Sequence, residues 1–186
     1  MCFSRLSGAL DRLFNFQKYV ILERKRGSAA GDLDVRLFFR PDTIAKSVLE
    51  TAAPPGTKGD SLAERCLNWV VGNIHQRAES EDFWQFPMET FMARSGDCED
   101  GAILLANLMV ACGVPSEKVY LAVLKLPEGF HMIVVYDWRI VLDWTGLCSG
   151  KSWSACKPFI WYVWNERIAY VPRDRVEKLE ASSRIG

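Results

Sequence analysis

In the stretch "RSGDCEDGAILLANLMVACGVP", residues 94–115, Cys98 stands between Asp97 and Glu99, with Asp100 next, at the start of what reads as a helix. The thiolate is the reactive form of cysteine, and a free thiol titrates near about 8.5. Neighbouring carboxylates favour the neutral thiol. The unpaired N–H groups and positive dipole end of a first helical turn favour the anion. A nucleophilic Cys98 therefore needs an imidazole to take its proton or to pair with its thiolate. Without one, Cys98 is an ordinary buried cysteine at a helix start.

The sequence holds two histidines. His75 ends a helical stripe beside Gln76, Arg77 and a polar loop, and reads as a surface or satisfied interface residue. His131 opens a strand, "HMIVVY", directly after a glycine turn. Asp137 shares its face by alternation, but six strand residues separate the two by roughly 20 Å. Asp143 lies on the returning strand. If the intervening loop holds an odd number of residues or a bulge, His131 and Asp143 share one face at cross-strand distance. Their hydrogen bond would then fix the imidazole's tautomer and stabilise its protonated form. A strict two-residue turn at Asp137-Trp138 puts them on opposite faces.

The elements that must position these residues read as α+β. The N-terminus is amphipathic, with Phe3, Leu6, Leu10, Leu13 and Phe14 at helical spacing. "KYVILER" and "LDVRLFFR" read as two strands of a hairpin, followed by a short helix after Pro41-Asp42. A helix from Ser61 carries the stripe Leu62, Cys66, Leu67, Val70 and Ile74, with Ser61 and Glu64 at capping-box spacing. "QRAESEDFWQFPMET" reads as irregular, Pro87 excluding a helix interior. The helix from Cys98 to Cys112 is apolar almost all round, which places it in the middle of a domain, and Gly113 and Pro115 end it. Strands follow at "VYLAVLK", "HMIVVY", "RIVLDWT", "FIWYVW" and "RIAYV". The charged tail from Pro172 is read as a helical turn or two, then loose. By this reading residues 1–59 are a helix-and-hairpin extension, 60–172 the core and 173–186 the tail, all within one compact domain.

Composition excludes some functions. Apolar residues make up 49% of the 186, and 23 basic residues balance 23 acidic ones, so nothing calls for a nucleic-acid partner. Six cysteines form no CxxC pair, which weakens a zinc or disulfide framework; Cys66 and Cys112 read as core residues, and Cys148 and Cys156 flank a polar loop. No stretch reads as a signal peptide or a membrane span, so a cytoplasmic location is expected. Of seven tryptophans, Trp138 at a hairpin tip and Trp153 in a loop are candidates for an aromatic binding surface, whereas Trp69, Trp161 and Trp164 read as core.

"GDCEDGAILLANLMVACGVP", "HMIVVY" and "IVLDWT", with "FWQFPMET" upstream, resemble the transglutaminase-like superfamily of papain-like cysteine enzymes. The small bacterial and phage peptidases are a nearer likeness than the large animal cross-linking enzymes, so a phage-encoded protein is compatible. The likeness spans roughly residues 60 to 146. It implies a central helix bearing Cys98 as nucleophile against an antiparallel sheet, with His131 as base and Asp143 as its orienter. It also implies acyl transfer through a thioester: hydrolysis of a protein or peptide amide if water completes the reaction, or cross-linking or deamidation in a transglutaminase. A non-catalytic binding module on the same fold is the third reading. The Cys98 N–H is the first oxyanion donor, and Trp84 or Gln85 the candidate for the second. No cofactor is required, but some relatives bind calcium through the motif's acids, here Asp97, Glu99 and Asp100. Those acids equally suit helix capping. Gly101 departs from the pattern, since relatives often carry a larger residue there. A docking partner, if any, would meet the N-terminal helix or the C-terminal tail.

Overall fold

The computed structural model describes residues 35–78, 83–148, 151–168 and 171–183. The chain divides into two units, Met1–Leu33 with Glu79–Trp84, and Asp34–Ala78 with Gln85–Gly186. Phe83 and Trp84 are the described residues of the first; the architecture below is that of the second. The expected N-terminal helix and first hairpin strand lie outside the described residues.

The second unit begins with two 3-10 turns, Val35–Phe38 and Pro41–Thr43, and helix α1 (Lys46–Ala52). Helix α2 (Gly59–Asn73) leads to a two-residue strand β1 (His75–Gln76), and α3 (Pro87–Ala93) to β2 (Ser95–Gly96), which pairs parallel with β1. Helix α4 (Cys98–Ala111) is followed by β3 (Val119–Leu126), β4 (Gly129–Tyr136) and β5 (Ile140–Leu142). A short helix α5 (Trp153–Cys156), strands β6 (Ile160–Trp164) and β7 (Val171–Pro172), and helix α6 (Arg173–Ser183) complete the chain. The sheet runs β5-β4-β3-β6-β7, each neighbour antiparallel. Among the described residues no helix is long and apolar enough to cross a membrane.

Helix α4 is the centre of the unit. Every residue from Glu99 to Met109 is buried, as an all-round apolar sequence demands. Helices α2 and α3 and strands β3 and β4 enclose it. Asn107, the buried polar residue in the middle of the helix, is fully used. The Nδ2 group donates to the Phe38 and Ile103 carbonyls, both at 2.8 Å, and Oδ1 accepts from the Arg40 N–H.

Asn107 also explains a correction. "LDVRLFFR" alternates like a strand, but its described part is the 3-10 turn Val35–Phe38. Val35 and Phe38, three residues apart, are both fully buried, Phe38 stacks near Phe86 with centroids 5.1 Å apart, and Asn107 supplies the backbone partners a sheet would have offered. Further expectations change. Pro87 does not interrupt a loop but opens α3 at its first turn, where a missing N–H costs nothing. Trp138 and Trp153 are buried and tilt against each other with centroids 5.2 Å apart, Trp138 also meeting Tyr120 at 4.1 Å, so neither forms a surface. Trp161 is exposed instead, on the outward side of β6 beneath the Lys125 ammonium. Finally, α2 starts at Gly59 rather than Ser61, and the tail forms three turns of helix rather than one or two.

Replacing Asn107 with alanine strands the Phe38 carbonyl and the Arg40 N–H in the interior. Urea unfolding is expected to show a loss of about 2 kcal/mol. An unchanged midpoint would mean that water reaches those groups.

Candidate active site

Strand β4 delivers His131 and the loop after β5 delivers Asp143. The register pairs Val134 with Leu142 and Tyr136 with Ile140, which leaves Asp137, Trp138 and Arg139 in the turn. Three is an odd number, so His131 and Asp143 fall on one face. Asp137 and Trp138 adopt positive φ (53° and 52°) to make that turn. The His131 Nε2 atom lies 3.0 Å from Asp143 Oδ2, with both side chains buried.

The Asp143 carboxylate is saturated. Its Oδ1 accepts from the Thr145 N–H at 3.0 Å and the Thr145 hydroxyl at 2.8 Å, and its Oδ2 accepts from the Cys148 N–H at 2.6 Å as well as from His131. Burial pushes this carboxyl's pKa up, but the bonds from His131, Cys148 and Thr145 and the charge on His131 outweigh it and hold the value below the usual range. An ionised Asp143 makes Nε2 the protonated nitrogen of the ring and leaves Nδ1 as the acceptor. Cys148 brings its sulfur near as well: one ligand-type atom from each of His131, Asp143 and Cys148 lies within 4.8 Å of the others. Each Asp143 oxygen is already engaged, so this cluster is read as the dyad and its loop. Cys148 and Cys156 are free thiols hydrogen-bonded to each other.

Cys98 opens α4, as expected. Its neighbours in "GDCED" divide their tasks. Asp97 is the N-cap and accepts from the Asp100 N–H, while Asp100 folds back to accept from the Asp97 N–H at 3.3 Å and from the Gln85 N–H at 2.7 Å. Asp100 thereby lies over Gly96, where a Cβ would stand 2.5 Å from the Asp100 Cβ. The motif's glycine is the space that the cap needs. Glu99 is different: it meets the Cys98 sulfur at 3.1 Å and is also bonded to Asp97. Burial, then the charge on Asp97, push the Glu99 carboxyl up to about 9, so it holds a proton at neutral pH. The Cys98 thiol is itself pushed up, by burial first and by Glu99 next, while the Met132 backbone N–H at the sulfur acts the other way. Met132 follows His131 directly. The structure thus joins His131 to Asp143 and holds the Cys98 sulfur beside the same strand, with its proton shared toward Glu99 rather than toward the imidazole.

Gln85 is buried and tied through its backbone to the first turn of α4; Trp84 is a described residue of the first unit. His75 is exposed in β1. Of the acids named as calcium ligands, Asp100 is committed to two N–H groups. Asp97, half-buried with its Oδ1 atom enclosed, and the buried Glu99 fit a hard cation, being oxygen ligands that share one proton a divalent ion would replace. Sequence reasoning missed Trp144. Its indole N–H donates to the Cys98 carbonyl at 3.1 Å, and its ring lies on Gly101. The signal was present in the glycine at 101 and the bulky residue beside Asp143.

A buried helix opening on Cys98 against an antiparallel sheet, with His131 on β4 and Asp143 just after β5, makes a papain-like, transglutaminase-like fold. It matches calcium-bound LapG of Legionella pneumophila with a TM-score of 0.53 and 21% identity, covering 67% of this chain and 74% of that one. A second LapG structure from the same organism matches with a TM-score of 0.51 and 19% identity over 74% and 81% of the two chains. At such identities the likeness is one of fold. No protein-family model matches the sequence, and none of the curated proteins compared with it does.

The depressed Asp143 pKa ties stability to pH. Its contribution is full above the ordinary carboxylate value of about 3.9 and is lost as the pH falls through the lower folded value. Wild type is therefore expected to lose stability steeply below about pH 4. Asp143→Asn is expected to start about 3 kcal/mol lower at pH 7 and to show a shallower acid limb in urea titrations. Parallel acid limbs would contradict the assignment.

Proposed function

We propose that this chain is a cysteine-dependent acyl-transfer enzyme that hydrolyses an amide bond in a protein or peptide, with Cys98 as nucleophile, His131 as base and Asp143 as its orienter. The observation that carries the reading is the buried His131–Asp143 bond on the strand whose next N–H, that of Met132, reaches the Cys98 sulfur. The protonated Nε2 turns the basic Nδ1 outward from Asp143. In this reading the short Cys98 side chain turns from Glu99 toward His131 by passing from one staggered position to another.

In the reaction His131 takes the thiol proton as the sulfur attacks the carbonyl carbon. The tetrahedral oxygen meets the Cys98 N–H, one of the donors a first helical turn leaves free, and Gln85 stands as candidate for the second. His131 then gives its proton to the departing amine, leaving a thioester on Cys98. Water, deprotonated by His131, attacks the thioester, and the proton returns to the sulfur as the acid product leaves. An amine in place of water gives transamidation by the same steps. Hydrolysis is preferred because the sequence resembles the small bacterial and phage peptidases of the superfamily more than the large cross-linking enzymes.

One of those LapG structures is calcium-bound. In this chain Asp97 and Glu99 are proposed to hold the ion, which when bound supplies positive charge that offsets the carboxylates beside the thiol.

Alkylation by iodoacetamide, followed across pH by intact mass and site mapping, tests the triad. Cys98 is expected to label selectively at pH 6, and His131→Ala to slow that labelling by roughly a hundredfold or more. Equal rates in the two proteins would leave Cys98 an inert thiol and favour the binding-module reading. Calcium is tested by thermal unfolding in millimolar calcium against EGTA. The midpoint is expected to rise by several degrees in wild type, corresponding to about 2–3 kcal/mol at a hundredfold excess over Kd, and to stay fixed in the double variant Asp97→Asn, Glu99→Gln. Identical shifts would remove these two residues as ligands.

A further inference from the structure

Two residues outside the proposed triad join its halves. Asp143, with His131, belongs to the sheet side of the site, and Cys98 belongs to helix α4. Trp144 is the next residue after Asp143, and its indole N–H donates to the carbonyl of Cys98 itself, at 3.1 Å. One peptide unit and one hydrogen bond therefore separate the orienting carboxylate's residue from the nucleophile's residue. The indole is buried. It reaches that carbonyl only by lying flat on the helix at Gly101, where any Cβ would fall inside the ring, against Cε2, Nε1 and Cδ2. Alanine outranks glycine inside a helix, so α4 carries at 101 a residue that its own stability does not favour. The absence of a side chain at 101 and the bulk at 144 are two parts of one contact.

We propose that Trp144 is a positioning residue, seated in the notch at Gly101, that sets the distance and orientation of Cys98 relative to the His131–Asp143 pair. The inference rests on the acyl-transfer reading above and deepens it. A hydrogen bond to the nucleophile's own carbonyl fixes the first-turn peptide from which both the Cys98 side chain and its N–H project. Small misplacements of reacting groups are costly: about 1 Å is enough to lose roughly a hundredfold in rate. The role differs from that of a core tryptophan, because what matters is the N–H and its aim rather than the area buried.

The test compares Cys98 alkylation across pH in wild type, Trp144→Phe, Trp144→Ala, Gly101→Ala, the double variant Gly101→Ala, Trp144→Ala, and His131→Ala, with thermal unfolding recorded for each. Trp144→Phe keeps an aromatic ring in the notch and loses the N–H. It is expected to melt within a few degrees of wild type yet label Cys98 at least tenfold more slowly at pH 6, with the rate profile displaced toward higher pH. Gly101→Ala expels the indole and is expected to lose at least as much. In the double variant the collision is gone and the bond is already lost, so its loss is expected to equal that of the worse single change rather than the product of the two. A wild-type pH profile in Trp144→Phe, or multiplying losses in the double variant, would overturn the proposal. If instead His131→Ala labels as fast as wild type, the acyl-transfer reading falls and the positioning role with it; that pattern is distinct from a failure confined to Trp144.

Discussion

The Asp143 carboxylate is the constraint on which the site depends. A buried charge is tolerated only when its lone pairs are met, and here four donors from three residues meet them. That requirement closes the loop from Asp143 to Cys148 into one conformation. It also fixes the His131 ring and points Trp144 at the first turn of helix α4. Rigidity at the site is therefore a consequence of satisfying one carboxylate in a place where water cannot.

The acidic setting of Cys98 poses less of an electrostatic problem than the count of charges suggests. Asp97 and Asp100 spend their charge on backbone N–H groups around the start of α4, an environment that suits a carboxylate. Glu99, buried and pressed against Asp97, keeps its proton. The thiol thus faces a neutral acid at neutral pH, and its own high pKa comes first from burial. "GDCED" reads as a single folded unit: Gly96 makes room for Asp100, Asp100 and Asp97 close the cap, and the cap holds Cys98 at the first turn of the central helix.

Much of this was legible in the sequence because it depends on short-range pattern. The all-round apolar run after Cys98 announced a buried helix, and alternation announced the strands from Val119 onward. The pairing of His131 with Asp143 was legible up to a parity, which the three-residue turn then settled. What sequence could not supply were contacts made across many residues. The strand-like "LDVRLFFR" became a 3-10 turn because Asn107, nearly seventy residues on, takes its backbone. Trp138 sits at a hairpin tip yet turns inward, because Tyr120 and Trp153 offer it more contact than solvent does. Trp144 was passed over for the same reason: its partner, Gly101, is defined by what it lacks.

The central claim is that the Cys98 sulfur forms a covalent acyl intermediate under the control of His131 and Asp143. The most direct measurement is acid-quenched intact mass after brief mixing with a p-nitrophenyl acyl ester, with the adduct mapped by peptide fragmentation. One acyl group per chain is expected, on Cys98, decaying as product acid appears and absent in Cys98→Ala. An adduct on lysines or on the other cysteines, or the same Cys98 adduct formed at an unchanged rate when both His131 and Asp143 are replaced by alanine, would contradict it.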